Sequence, residues 1–92
     1  MKTIWKARIR EYAKYGIVWE IDIPAPLGAK AISVGLQEGE ITVWFEVDTS
    51  KPMGRLRLFA AGTGRDGVPN NCRFIGTVLE KEDRVFHIYG EI

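Results

Sequence analysis

Cysteine, histidine and helical patterning are almost missing from this 92-residue chain. Cys72 is the one cysteine, so an internal disulfide is excluded, and with it a disulfide-stapled secreted mini-domain. His87 is the one histidine; a metal cage would have to be completed by carboxylates, and no metal site or cofactor is assigned. No apolar run approaches the roughly 18–20 residues of a membrane-spanning helix. Met1–Lys6 (MKTIWK) lacks the apolar centre of a signal peptide. An excess of one charge is missing too: 13 basic and 12 acidic residues give +1, far from the basicity of a dedicated duplex-DNA binder. The expectation is one cytoplasmic domain over residues 1–92, with neither a membrane nor duplex nucleic acid as partner.

What is present is a period of two. Trp5, Ala7 and Ile9 alternate with Lys6, Arg8 and Arg10, and Ile17, Trp19, Ile21 and Ile23 surround Glu20 and Asp22. Each reads as a half-buried strand. Pairing the two across Glu11–Gly16 would set a basic row beside an acidic one. Ile32, Val34 and Leu36 alternate up to Glu38-Gly39, followed by Ile41, Val43, Phe45 and Val47. A tight turn there pairs Leu36 with Ile41, Val34 with Val43 and Ile32 with Phe45. A strand over Arg55–Ala61 precedes a loop, Gly62–Asn71. Arg73–Leu79 and Arg84–Tyr89 form a last hairpin whose apolar residues fall on both faces, which suggests a central, doubly covered position. The fold class is all-β: a single small antiparallel β-sandwich or barrel of about seven short strands.

Residues 60–67 (AAGTGRDG) carry three glycines in six positions. Gly62, Thr63 and Gly64 resemble part of a phosphate loop, but no helix follows and the Lys-Ser/Thr of a Walker loop is missing, so the Walker and dinucleotide motifs are rejected. What survives is a nest of backbone amides with Arg65 that cradles an anion, against a plain glycine-rich connection. Arg55 and Arg57 share a strand face with Phe59, which suits phosphate or a nucleobase or simply a solvated edge. Trp44 stacks on a flat ligand or a partner subunit, or else covers Gly35 and Ser33. His87 lies on one face between Val85 and Tyr89 and reads as a hydrogen-bonded structural residue; a Cys72–His87 nucleophile pair is the catalytic alternative, with no third group to orient it.

Several stretches together, MKTIWK at the start, Gly28-Ala29 leading into Ile32-Ser33-Val34, Trp44 with Val47-Asp48, Phe59 with Gly62-Thr63-Gly64, Ile75-Gly76-Thr77 and Phe86–Glu91, resemble a family of small proteins encoded in bacteriophages and prophages. The resemblance implies a phage origin and expression inside a bacterial cell. It also implies a histidine after Gly-Thr-Gly where this chain has Arg65, which leaves His87 as the matched one. By analogy, small phage β proteins act by occupation.

The combined expectation is a non-enzymatic, counter-defence binding protein that sequesters a phosphate-bearing small molecule such as a cyclic nucleotide or an ADP-ribose-type immune signal. Gly62, Thr63, Gly64, Arg65, Arg55, Arg57, Trp44 and His87 form its candidate ligand set, with the pocket shared between subunits of a homo-oligomer. No catalytic residue is assigned. The alternative is a protein-interaction module that inhibits a host protein or serves phage assembly.

Overall fold

Alternation of apolar and polar residues builds two antiparallel sheets whose apolar faces meet. The computed structural model describes residues 1–10, 13–15, 18–64, 66–81 and 84–92. Ile17, Arg65 and the Glu82-Asp83 part of the last turn lie outside them. One sheet has three strands in the order β1-β5-β4: β1 (Lys2–Arg8), β4 (Lys30–Gln37) and β5 (Glu40–Asp48). The other has five, ordered β2-β3-β6-β8-β7: β2 (Ala13–Tyr15), β3 (Val18–Pro26), β6 (Met53–Ala61), β7 (Cys72–Lys81) and β8 (Arg84–Glu91). The architecture is therefore an all-β sandwich. Between the sheets lie Ile21 and Ile23 of β3, Ile41, Val43, Phe45 and Val47 of β5, Leu56, Leu58 and Ala60 of β6, Val78 of β7 and Ile88 of β8, all buried.

The β4–β5 hairpin follows the alternation in its outer half, with Leu36 opposite Ile41 and Val34 opposite Val43. Its turn is the expected two-residue one, and both central residues have positive φ, Glu38 at 53° and Gly39 at 77°, the backbone that matches strand twist in a tight hairpin. A bulge then shifts the register, so Ala31 and not Ile32 faces Phe45. Ile32 is left 47% exposed.

The partners of β1 and β3 differ from expectation. β1 pairs with β5, Trp5 opposite Phe45, and β3 pairs with β6, Ile21 opposite Leu58, so the two strands lie in different sheets. Each charged row finds its complement inside its own sheet. Arg8 meets Glu38 at 3.1 Å and Glu40 at 3.4 Å, and Arg10 meets Glu40 at 2.8 Å. Glu20 meets Arg57 at 3.0 Å and Asp22 meets Arg55 at 3.1 Å. Local alternation sets which residues face solvent; it leaves open which opposite charge neutralises them.

The last hairpin is also placed differently. β8 is central, but β7 is an edge, with Phe74 53% and Leu79 63% exposed. Apolar residues occur on both faces of β7 because a bulge between Phe74 and Gly76 breaks the alternation. Ile75 turns inward against the core while Phe74 stays outside. Next to it the sheets approach closely: a Cβ on Gly76 would lie 2.9 Å from Val34 Cγ1.

Gly76→Val is accordingly expected to wedge β7 from β4 and cost about 1–3 kcal/mol, read from urea denaturation. Gly35→Ala is expected to leave stability unchanged or raise it by up to about 1 kcal/mol, because its Cβ would meet only Trp44 Cζ3, at 3.8 Å. Equal losses would contradict the close seam.

Two carboxylates contribute to the acid limb. Arg10's hydrogen bond holds Glu40 below the usual carboxylate range. Hydrogen bonds from the Ser50 hydroxyl and amide, then from the Met1 ammonium, hold Asp48 well below it. Depressed folded values mean that their stabilisation is fully present above the ordinary carboxylate range, about pH 5, and is lost as pH falls through the lower folded values. Glu40→Gln and Asp48→Asn should each lower Tm at pH 7, and each Tm curve should approach the wild type's in acid, Glu40→Gln first and Asp48→Asn only at the acid extreme.

Candidate functional site

The site begins with the parity of β6. Leu56, Leu58 and Ala60 face the core, so Arg55, Arg57, Phe59 and Ala61 face out. That outward row divides in two. Its second half is apolar and is covered: Phe59, Ala61 and Val18 are buried in a small cluster, with Val68, Cys72 and Tyr89 packed against them. Val68 belongs to the loop after β6, so the loop folds back over the outer face of the five-stranded sheet. Backbone bonds hold its far end, Cys72 N–H to the Pro69 carbonyl at 3.2 Å and Ile92 N–H to the Asn71 carbonyl at 2.8 Å.

The near end is held by His87. Its ring lies between two threonines, with Thr63 Oγ1 2.8 Å from Nε2 and Thr77 Oγ1 2.9 Å from Nδ1. A neutral imidazole has one donor and one acceptor nitrogen, and a hydroxyl serves either, so the pair satisfies the ring completely. Chemically this is a short hydroxyl–imidazole–hydroxyl chain. Among the described residues no carboxylate bonds to the ring, so nothing there plays the part of a triad acid. Cys72 lies elsewhere: it pairs with Glu91 while His87 pairs with Thr77, four residues apart on β8 and hence ~13 Å along the strand. Burial, then the nearby Glu91 carboxylate, pushes the Cys72 thiol up, away from the reactive thiolate. Gly64 has φ 80°, a backbone that favours glycine. Among the described residues no three His, Cys, Asp or Glu side chains converge as metal ligands.

The first half of the row stays open. β8 pairs with β6 only from Leu58 onward, and β6 reaches back to Met53, so Arg55 and Arg57 border an unfilled edge. The Gly28–Lys30 segment and the start of β7 enclose it. The result is a cleft of about 470 Å³ lined by Gly28, Ala29, Lys30, Arg55, Leu56, Arg57, Arg73, Glu91 and Ile92. Four of these residues are cationic and one, Glu91, is anionic. Arg57 also lies 5.1 Å from the Phe59 ring centroid. Arg73 reaches across to the other sheet, its guanidinium donating to the Ala31 carbonyl at the β4 bulge. Among the described residues neither Arg73 nor Lys30 is in an ion pair.

The residues singled out from sequence thus fall into three places. Thr63 and His87 meet at one end of the outer face, with Gly62 and Gly64 beside them. Arg55 and Arg57 meet in the cleft; Arg57 lies four residues from Ala61, the partner of His87, or ~13 Å away. Trp44 stands on the outer face of the three-stranded sheet, opposite Lys6 and Ser33, half-buried over Gly35. Lys30, Arg73 and Glu91 were not singled out. Arg73 sits on the inward parity of β7, and only the early end of β8 brings it to the cleft.

The domain of unknown function DUF7352 matches residues 1–92. The chain belongs to that family. No curated protein and no solved structure matches it.

The loop's anchoring is directly testable. Thr63→Val should speed amide exchange at residues 62–64 about fivefold, the loss of one hydrogen bond of roughly 1 kcal/mol, with β6 exchange unchanged. Unchanged exchange at 62–64 would mean that Val68 alone holds the loop.

Proposed function

We propose that this is a phage-encoded, non-enzymatic binding protein that sequesters a phosphate-bearing small molecule, such as a cyclic nucleotide or an ADP-ribose-type immune signal, inside a bacterial cell. The cleft carries the reading. Four cationic residues from three strands line a concave opening, and guanidinium forks match phosphate oxygens. The sequence resemblance to phage and prophage proteins supports the cellular setting. Trp44 enters this reading only as the contribution of a second copy, since in one chain it lies on the opposite sheet. The Thr63–His87 end is the loop's anchor, with the Gly62–Gly64 amides as a secondary anion contact.

A second reading, an interaction module acting on a host protein, is favoured by Phe74 and Leu79, which stand exposed on the outer face of the β7 edge.

Thermal-shift screening against cyclic nucleotides, ADP-ribose and nucleoside diphosphates separates the two. A ligand at 100 times its Kd should stabilise the domain by about 2.7 kcal/mol, an easily measured rise in Tm, and denaturation should release it chemically intact. A folded protein that no compound stabilises, but that retains a partner through Phe74 and Leu79, would favour the second reading.

A further inference from the structure

We infer that Glu91 is a built-in competitor for the cleft, so that it selects a compact, multiply charged phosphate, a diphosphate or a phosphomonoester, over a singly charged phosphodiester. The inference rests on the anion-binding reading of the cleft and narrows its ligand class. The arginines of the cleft are not equivalent. Arg55 is held by Asp22 at 3.1 Å and one amine of Arg57 by Glu20 at 3.0 Å, both carboxylates being on the neighbouring β3. Those pairs set the forks in place from the outer side. Glu91, another residue of the cleft lining, brings Oε2 to 3.5 Å from the other amine of Arg57, Nη1.

Glu91 is weakly held in that position. Its second contact, from Asn71 Nδ2, is also 3.5 Å long, at the limit of a hydrogen bond, and its side chain is 37% exposed. An ion pair of this length and exposure contributes little. Around it, Arg73 and Lys30 are in no ion pair among the described residues, Glu46 standing opposite Lys30 on β5. Among the described residues the half-buried Arg73 guanidinium is matched by a backbone carbonyl alone, which leaves its remaining donors available to an anion. Glu91 therefore occupies the place of a ligand anion with a single charge, in a cleft with more positive charge than one carboxylate satisfies.

Displacing Glu91 decides the specificity. A phosphodiester brings the same single charge that it removes, so the exchange gains almost nothing electrostatically. A phosphomonoester carries about two charges and a diphosphate as many or more, with enough oxygens to meet Arg57, Arg73 and Lys30 together. Glu91 swings to solvent, where its charge is rehydrated.

The test is a proton–nitrogen NMR titration of the full chain at fixed ionic strength, with inorganic pyrophosphate and dimethyl phosphate as probes. Pyrophosphate should bind at least about tenfold tighter, as one extra charge-assisted contact implies, and should shift the amides of Gly28, Lys30, Arg73 and Glu91. Glu91→Gln should tighten dimethyl phosphate about fivefold, the ratio for a released exposed ion pair, and narrow the preference. Arg73→Met and the surface change Lys30→Met should each weaken pyrophosphate; Lys30→Met leaves the seam between the sheets intact and stands if Arg73→Met fails to fold. Equal binding of the two probes, or no response to Glu91→Gln, overturns the competition. Shifts centred on residues 62–64 overturn the site while leaving phosphate binding intact. Silence toward both probes overturns this inference alone if ADP-ribose or a cyclic nucleotide still stabilises the protein, and overturns the binding reading as well if none does.

Discussion

The period-two parity of β6 is the constraint on which the rest depends. Burying Leu56, Leu58 and Ala60 between the sheets compels Arg55, Arg57, Phe59 and Ala61 to face outward. Solvent accepts the arginines but not the phenylalanine, so something has to cover the second half of the row. The loop after β6 does so by laying Val68 over Phe59 and Ala61, and Thr63 fixes its start on His87. The same parity leaves the arginine half at an edge that β8 does not fill. One strand thus produces both the covered patch and the open cleft.

Charge works differently on the two outer faces. On the three-stranded sheet, Lys2, Arg8 and Arg10 are matched by Glu46, Glu38 and Glu40. Exposed pairs of this kind add little stability; they keep the β1 edge charged. On the five-stranded sheet, Asp22 and Glu20 take up Arg55 and part of Arg57; beside them Arg73, on the inward parity of β7, and Lys30, on β4 of the other sheet, are outside any ion pair among the described residues. The net charge of +1 conceals this local excess, which is why overall composition gave no pointer toward an anion.

The legible part of the fold was the part set by neighbours in sequence. Ile32–Val47 announced a hairpin through strict alternation on either side of Glu38-Gly39, and the turn has the positive φ values that such a hairpin requires. What alternation cannot encode is partnership between distant strands. Trp5–Ile9 shows the same pattern whether it pairs with β3 or β5, and the choice is made by the whole core. The bulges at Ile32 and Ile75 were illegible for a related reason: one inserted residue reverses a face without changing composition. Of the site, Arg55 and Arg57 could be read because outward arginines beside Phe59 are visible along one strand. Lys30, Arg73 and Glu91 come from three other elements and meet only through topology. The glycine-rich loop suggested a ligand, but Val68, a lone aliphatic residue in a polar stretch, was the signal that it has a surface to cover.

The central claim is that the cleft bordered by Arg57 and Arg73 is where this protein holds an anion, and that the loop is a cover. Crystals soaked in tungstate, a phosphate-like anion with strong anomalous scattering, test it most directly. The account predicts an anomalous peak within hydrogen-bond reach of Arg57, Arg73 and Lys30, with Glu91 rotated away from Arg57. A peak at Gly62–Gly64 with the cleft empty and Glu91 still on Arg57 would contradict it.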